Sequence, residues 1–198
     1  MSKRAGAVSA ETKQQLLAAA RTEFSVRGFQ GSSLRGICAA AGVTTGALYF
    51  FFQGKDDLFA AVLAQVTEPF TRLVAEHYQA ERASDRRDSP QGADADVQVV
   101  KQILDLYFDS RETWDILLAH QDHPAVRDFL EQVNRVSTEH YLALLGDADP
   151  VAVRQFVHMQ TDAMLTLLEQ DFTPQEMLGH AGTVVKMLRG AFRALLSQ

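Results

Sequence analysis

The sequence predicts an all-α protein with a three-helix N-terminal head and a C-terminal helical bundle. Apolar residues recur with a period near 3.6 almost throughout the chain, as they do along one face of an α-helix. Strand signals are few, and the Asn-Gly and Asp-Gly pairs that mark tight hairpins do not occur in the sequence. With 198 residues, 46% of them hydrophobic and 22% charged, the chain can bury a sizeable core.

The first two helices are predicted from their capping residues. The first begins after Ser9 as its N-cap and ends at Gly28. A second, shorter helix begins at Ser32 or Ser33 and ends at Gly42, a glycine well placed to adopt the left-handed conformation. The inner face of the first helix is apolar and comprises Leu16, Leu17, Ala20 and Phe24.

The third helix is barely two turns long. Thr44 caps it, and it extends from Thr45 to about Phe51. The fourth begins after Gly54, with acidic residues in its first turn. Its apolar stripe comprises Leu58, Phe59, Val62, Leu63, Val66 and Phe70.

Five further helices are predicted after the fourth. The polar stretch 83–96 has no apolar periodicity and is predicted to be a long loop. Asp149-Pro150 and the capping-box sequence Thr173-Pro174-Gln175-Glu176 mark the starts of the last two helices. The five helices are predicted near 97–108, 111–120, 126–144, 151–170 and 175–196.

The charge divides the chain at Gly54. Residues 1–54 carry six basic and two acidic side chains, a net charge of +4, whereas the other 144 residues carry 13 basic and 23 acidic side chains, a net charge of −10. Only the head is therefore expected to meet phosphate. We predict a head of residues 1–54 and a body of residues 55–198.

Several protein classes are disfavoured. No apolar run approaches the roughly 18 to 20 residues of a membrane helix, and residues 1–10 lack the apolar stretch of a secretory signal, so we expect a cytoplasmic protein without a membrane partner. The single cysteine, Cys38, can form neither an internal disulfide nor a thiolate cage for zinc. We expect no cofactor and no metal.

Histidines offer two weaker alternatives. His120 and His123 could share a metal, but a proline follows at once, and the pattern favours His120 as a cation at a helix C-terminus and His123 as a surface residue. A hydrolase based on Ser137, His140 and Asp147 would lack a nucleophile elbow and an oxyanion loop. The sequence therefore disfavours an enzyme.

Ala41-Gly42-Val43-Thr44 joins the second and third helices in a helix-turn-helix pattern. The glycine permits a sharp turn, while Ile37 and Val43 would lock the two helices at a steep angle. The residues that the third helix would present to a major groove are Thr45, Gly46, Ala47 and Tyr49. An ordinary αα-corner would show the same turn.

At these residues the sequence resembles the TetR family of one-component bacterial transcriptional regulators. About 45 residues match in order and spacing, and the rest of the chain resembles the family only in length and helical pattern. The matching residues are Leu16 to Phe24, Arg27-Gly28-Phe29, Ser33-Leu34-Arg35, Ile37, Ala40-Ala41-Gly42-Val43, Gly46-Ala47-Leu48-Tyr49, Phe52, Lys55 and Leu58-Phe59. The resemblance implies a DNA-binding head.

Roles in DNA binding follow from the chemistry of these side chains. Tyr49, Thr44 and Lys55 are expected to contact phosphate, Lys55 from the N-terminus of the fourth helix. Arg35 can reach a guanine edge or a phosphate. The small residues Thr45, Gly46 and Ala47 would let the helix lie deep in the groove.

Three consecutive phenylalanines follow Tyr49. The family usually has His or Tyr where this chain has Phe51, which removes one phosphate donor. Phe50, Phe51 and Phe52 are interpreted as packing residues, because duplex DNA offers no exposed base face.

Cys38 has two readings. It could be a redox sensor beside the operator, with the neighbouring Arg35 lowering the pKa of its thiol. Burial preference favours a small core residue instead.

For the body, the resemblance implies a ligand cavity and a dimer interface. Trp114, Tyr141 and His158 are predicted to line the cavity. The last two helices would pair with their copies in a four-helix bundle, with Val184, Leu188 and Phe192 at the interface.

The function predicted is a homodimeric, sequence-specific repressor that a small-molecule effector releases from double-stranded operator DNA. The fourth helix, taken as the only covalent link between head and body, would transmit the ligand signal. One alternative is a DNA-binding dimer without an effector, and the other is a helical adaptor or enzyme.

Overall fold

The computed structural model describes residues 2–83 and 90–196, which form α-helices and contain no strand. This confirms the predicted fold class. In chain order the helices are α1 (Ser2–Gly31), α2 (Leu34–Ala41), α3 (Thr45–Phe51), α4 (Lys55–Arg82), α5 (Pro90–Asp109), α6 (Arg111–Leu118), α7 (Pro124–Leu145), α8 (Pro150–Leu168) and α9 (Pro174–Leu196).

Helix α1 is broken at Gly28. The backbone there has φ 65° and ψ 173°, a conformation open essentially to glycine alone. The break falls where the sequence predicted the helix end, and a further helical turn follows as far as Gly31. The predicted cap at Ser9 is wrong, because the helix already begins at Ser2.

The caps of α2 and α3 are those that the sequence predicted. The Ser33 side chain accepts a hydrogen bond from the Gly36 N–H, and the Thr44 side chain accepts one from the Ala47 N–H. Gly42 ends α2 in the left-handed conformation, with φ 68° and ψ 26°. The chain direction turns by 103° from α2 to α3, within the range of a helix-turn-helix.

Helix α4 begins at Lys55, as predicted, and continues to Arg82 through an internal proline, Pro69. An 18-residue window of α4 reaches a mean hydropathy of 1.2, so, contrary to the expectation from the sequence, this helix is long and apolar enough to cross a membrane. The core helix of a soluble protein can have the same length and composition. In the N-terminal half of α4 the large apolar residues are buried: Leu58, Phe59, Val62, Leu63 and Val66.

The body helices follow the prediction except at the start of α5. Residues 90–96, predicted as loop, are helical from Pro90, while residues 84–89 lie outside the described part of the chain. Pro90 at the first position explains this start, because a proline there loses no helical hydrogen bond. Asp149 caps α8 by accepting from the Val151 N–H, and the predicted capping box joins Thr173 and Glu176.

The described helices group into two compact units that do not follow chain order. Unit 1 comprises residues 1–67 and 110–127, and unit 2 comprises residues 68–109 and 128–198. The chain passes from one unit to the other within α4, after α5 and within α7. Helix α4 is therefore one of three covalent connections between these two units, whereas the division into head and body at Gly54 stays a prediction.

Aromatic packing forms the centre of unit 1. The Phe24 and Phe59 rings lie 5.0 Å apart edge to face, and the Phe29 and Phe59 rings are also 5.0 Å apart. In unit 2, Phe156 and Phe192 are buried in one cluster with Leu144 and Val157.

Two glycines with positive φ, Gly28 and Gly42, provide a test of what stabilises the head. We expect Gly28→Ala to lower the free energy of unfolding by about 1–3 kcal/mol, because a Cβ is strained at its backbone angles. Gly42→Ala should cost about 1–2 kcal/mol for the same reason. Gly54→Ala, at a position with open space and no positive φ, is the control and should be nearly neutral. Urea unfolding measures all three, and equal stability of the Gly28 and Gly54 variants would contradict this account.

Candidate nucleic-acid interface and ligand cavity

Helix α3 presents one exposed face to solvent. Thr45 and Tyr49 are one turn apart on this face, as are Gly46 and Phe50. On the opposite side Leu48 is fully buried, which fixes the rotation of α3 against the rest of unit 1. The face thus combines small residues in the first turn with two large aromatic rings in the second.

The interpretation of all three phenylalanines as packing residues is wrong for Phe50. Its side chain is 76% exposed, beside a Tyr49 that is 60% exposed. Phe52 is buried as expected, and Phe51 is half-buried between them, with its ring 5.0 Å from that of Phe50. The signal for Phe50 was its spacing of four residues from Gly46, which places both on the exposed side of α3.

The other head residues predicted to meet DNA lie around this face. Arg35 is exposed on α2, and Thr44 is exposed at the start of α3. The Thr44 hydroxyl already accepts a hydrogen bond from the Ala47 N–H at 3.2 Å, so its capping role is built into the head. Ala47 is half-buried. Contact of these residues with DNA stays a prediction.

Lys55 has an internal role that the sequence did not reveal. Its Nζ donates to the Phe29 carbonyl at 2.7 Å and to the Ser32 carbonyl at 3.3 Å. The ammonium also lies 4.5 Å from the centre of the Phe29 ring, within cation–π range. Lys55 therefore joins the start of α4 to the end of α1, and its contact with phosphate stays a prediction.

His120 and His123 pack inside unit 1. His120 Nε2 accepts from the Phe29 N–H at 3.0 Å, while His120 Nδ1 lies 2.7 Å from the Ile116 carbonyl and so carries the proton. The imidazole is thus neutral, and the interpretation of His120 as a helix-end cation is wrong. His123 is buried against the Phe59 ring, with its Nε2 3.4 Å from Asp56 Oδ1, so its assignment to the surface is also wrong.

Cys38 lies in the core of the head. Its side chain is 3% exposed on α2, and burial raises the pKa of its thiol. Both observations agree with the core reading, because the reactive form of a cysteine is the thiolate.

Unit 2 contains a cavity between α4, α5, α7, α8 and α9. Tyr141 is in its wall, as predicted. Trp114 is buried on α6 in unit 1, and His158 is exposed on α8, so neither lines this cavity. The apolar and aromatic part of the wall includes Val74, Ile103, Phe156, Met164 and Leu167.

The predicted interface residues Val184, Leu188 and Phe192 also line this cavity. Phe192 is buried and Leu188 packs on the same core cluster. The three therefore face the interior of their own chain, and a role in pairing two chains stays a prediction. The outer side of α9 instead exposes Met187, which is 70% exposed.

A polar network follows one side of the cavity. His140 Nε2 lies 2.8 Å from Glu81 Oε2, and its Nδ1 lies 3.4 Å from an Arg82 Nη1. Because a guanidinium can only donate, His140 Nδ1 is the acceptor and Nε2 carries the proton. The Tyr78 ring stacks on His140 at 4.0 Å, and its hydroxyl donates to the Ser137 Oγ at 2.8 Å.

A second polar group joins α4, α5 and α9. Asp96 pairs with Arg189 and lies 3.4 Å from His77 Nε2, and all three line the cavity. The Tyr141 hydroxyl donates to Gln160 Oε1 at 3.3 Å. Desolvation by burial raises the pKa of Tyr141 well above its usual value, and the negative charges of Glu81 and Asp96 add to the shift.

The head matches a known family by sequence. Residues 16–62 match the family described as bacterial regulatory proteins, tetR family. The repressor BepR of Brucella suis biovar 1 is 40% identical over 67 residues, which cover 34% of this chain and 32% of BepR. The regulator AcrR of Shigella flexneri is 46% identical over 52 residues, covering 26% and 24% of the two chains. The chain thus matches about a quarter to a half of the length of such relatives.

The whole fold matches solved structures. A TetR-family regulator from Syntrophomonas wolfei aligns over 91% of this chain and 96% of its own, with a TM-score of 0.72 and 14% identity. The multidrug binding protein EbrR, complexed with malachite green, aligns over 89% and 96% of the two chains, with a TM-score of 0.63 and 25% identity.

The burial of Cys38 gives a direct test of the redox reading. We expect the native thiol to react with iodoacetamide far more slowly than the thiol of the urea-unfolded chain, because it is both buried and protonated. Mass spectrometry after timed quenching measures both rates. Labelling at the same rate in the two states would contradict the core assignment and favour a sensor.

Proposed function

We propose that this chain, which belongs to the TetR family of bacterial regulatory proteins, is a cytoplasmic repressor that binds operator DNA and is released from it by a small-molecule effector. The observation that carries the DNA-binding part is the exposed face of α3, held at 103° to α2 on a basic head. This turn matches the geometry in which a second helix enters the major groove.

The exposed face of α3 suits a groove lined by thymine methyls and phosphates. Thr45 and Gly46 allow close approach, and Phe50 offers an apolar ring that can cover a methyl group. The Tyr49 hydroxyl can donate to a phosphate oxygen, which positions the head without reading sequence. Arg35, exposed on α2, adds a cation at the edge of this face.

The cavity of unit 2 supports the effector part of the proposal. An apolar cavity with a few polar groups is the usual form of a small-molecule site. EbrR, which has a similar fold, is a multidrug binding protein complexed with malachite green. SmeT, which also has a similar fold, is the repressor of a multidrug efflux pump. By analogy, we place the effector of this chain in the unit 2 cavity.

We propose that two chains pair through the outer sides of α8 and α9, rather than through the residues that line the cavity. Met159 on α8 and Met187 on α9 are exposed there. A Cβ added at Gly179 or Gly190 on α9 would meet open space, so a second helix could approach closely. Two heads on one dimer could then occupy two half-sites.

Continuous helices offer a route by which a ligand signal could pass between the units. Helices α4 and α7 each have residues in both units. A ligand that binds better to the DNA-free arrangement needs only about 1–3 kcal/mol of coupling to lower operator affinity measurably. We propose that both helices take part.

The alternative of a DNA-binding dimer without an effector makes a different prediction for ligand binding. An effector raises the melting temperature by mass action, whereas a protein that senses nothing shows no such shift with any metabolite. The enzyme alternative is disfavoured, because residues 16–62 match a family of bacterial regulatory proteins, which is non-enzymatic.

Duplex binding at several salt concentrations tests the proposed function. Affinity should fall steeply as salt rises, because bound phosphates release counterions. Tyr49→Phe should weaken operator and random duplex by the same factor, since the hydroxyl addresses phosphate. Fluorescence anisotropy measures both. Binding that is independent of salt would overturn the proposal, and a change of base preference in this variant would overturn the role of Tyr49.

Phe50 gives a separate prediction with a matched control. Phe50→Ala should weaken operator binding by about tenfold or more, the loss expected for one good base-edge contact. Val26→Ala also truncates an exposed apolar side chain, 77% exposed on α1, and should leave binding unchanged. Both variants should melt near the parent temperature, because surface substitutions have small effects on stability. Equal affinities for the two variants would contradict a role for Phe50.

A charge on the outer side of α9 tests the dimer. Met187→Glu should yield monomers, because two copies of the new carboxylate would meet across a two-fold interface. Val97→Glu introduces the same charge at an exposed apolar position on α5 and should leave the oligomeric state unchanged. Analytical ultracentrifugation distinguishes the two. A dimeric Met187→Glu variant at the lowest measurable concentration would exclude this face.

A further inference from the structure

Helix α6 and the turn after it pack against the last part of α1 within unit 1. Before the break at Gly28, the Arg21 Nε lies 3.0 Å from Glu112 Oε2. Directly after the break, the Phe29 N–H donates to His120 Nε2 at 3.0 Å. The two contacts lie the same number of residues apart on both segments, so α6 runs along α1 in the same direction and bridges the break.

The two contacts differ in burial. The side chains of Arg21 and Glu112 are 38% and 44% exposed, and such an ion pair contributes little because water screens it. Phe29 is only 8% exposed, so water does not readily replace His120 as the acceptor for its N–H. A buried N–H that loses its acceptor is costly. The arrangement at the break therefore depends on His120 far more than on the ion pair.

The imidazole of His120 is itself held in a fixed position. Its Nδ1 donates to the Ile116 carbonyl at 2.7 Å, which leaves Nε2 as the acceptor. The Phe59 ring of α4 lies 5.5 Å from the imidazole, edge to face. A Cβ added at Gly28 would lie 3.5 Å from Nε2, so the imidazole rests directly on the backbone at the break. The acceptor is thus positioned by α6 and α4 together.

The Phe29 peptide is connected to α3 through short turns. The Phe29 carbonyl accepts from Lys55 Nζ and from Ser32 Oγ, both at 2.7 Å. The next residue, Ser33, caps α2, and Gly42 ends α2 just before α3 begins. A change in the direction of the Phe29 peptide is therefore passed to α2 and from there to α3.

We propose that His120, which lies outside the head of residues 1–54, is a positioning residue for DNA binding. By accepting the Phe29 N–H it holds α2 and α3 in the arrangement that fits a major groove. This role rests on the proposed function, because it concerns the binding of DNA by α3. His120 acts through Phe29 and does not touch DNA. Without the acceptor fewer heads have the competent arrangement, and the apparent Kd rises as that fraction falls.

Three variants of the full-length protein test this role on a duplex that the parent protein enriches from a random library. His120→Leu removes the acceptor and should raise the Kd about tenfold or more. His120→Gln has an amide oxygen that can accept from the Phe29 N–H, and its Kd should stay within about threefold of the parent value. Glu112→Gln weakens the exposed contact between the same two segments and should leave the Kd unchanged. Fluorescence anisotropy measures all four proteins.

Hydrogen exchange distinguishes positioning from a general loss of stability. His120→Leu should speed amide exchange in α2 and α3, for example at the Leu48 N–H, which donates to the Thr44 carbonyl at 3.2 Å. Exchange in α8, which belongs to unit 2, should stay at the parent rate. Nuclear magnetic resonance measures the exchange of single amides. Equal acceleration in α2 and α8 would mean a general loss of stability and would overturn the positioning role.

A shorter amide keeps the test decisive if the Leu variant does not fold. The side chain in His120→Asn is one methylene shorter than in His120→Gln and falls short of the Phe29 N–H, so its Kd should rise as in His120→Leu. Melting curves verify that each variant is folded.

The same measurements separate this inference from the proposed function. A parent protein that enriches and binds no duplex overturns the proposed function, and with it any role of His120 in DNA binding. Equal affinities of the parent and of a folded His120→Leu or His120→Asn variant for an enriched duplex overturn the role of His120 alone.

Discussion

The head depends on how the chain is held at the break in α1. Gly28 turns the backbone out of the helix, which leaves the peptide groups of Phe29 to be satisfied by other parts of the chain. The Phe29 N–H donates to His120, and the Phe29 carbonyl accepts from Lys55. The Phe29 ring completes the arrangement by packing on Phe59 and under the Lys55 ammonium. One residue thus holds together the end of α1, the start of α4 and the segment after α6.

This constraint explains why unit 1 is built from two separate parts of the chain. His120 lies 91 residues after Phe29, and the segment that carries it belongs to the same compact unit as the head. The surface of α3 needs such support, because a recognition helix of two turns cannot fix its own orientation. The side chains that face DNA in our proposal therefore rely on buried contacts made by residues outside the predicted head. The same segment connects directly to helices of unit 2, so the chain links the two units at more than one point.

Sequence patterns predicted the features that depend on neighbours within a few residues. Ser33, Gly42 and Thr44 act as caps where expected, because capping is decided within one turn of backbone. The patterns did not reveal features that distant contacts decide. The internal role of Lys55 is one of them, since nothing local shows that the Phe29 carbonyl lies within its reach. Helical period identified Leu188 as apolar but could not distinguish a cavity wall from a dimer interface, which are apolar for the same reason. Phe50 is exposed, although its hydrophobicity predicted a packing residue. Its spacing of four residues from Gly46 is the pattern that indicates the exposed position.

Selection of binding sites from a random duplex library tests the central claim most directly. The full-length protein is incubated with the library, and bound duplexes are sequenced after several rounds. A symmetric dimer with one recognition helix per chain should enrich an inverted repeat whose half-site centres are separated by one helical turn, about 34–36 Å, or a multiple of it. Recovery of the starting library without an enriched motif, or of a single half-site without symmetry, would contradict the account of a dimeric repressor that reads DNA through α3.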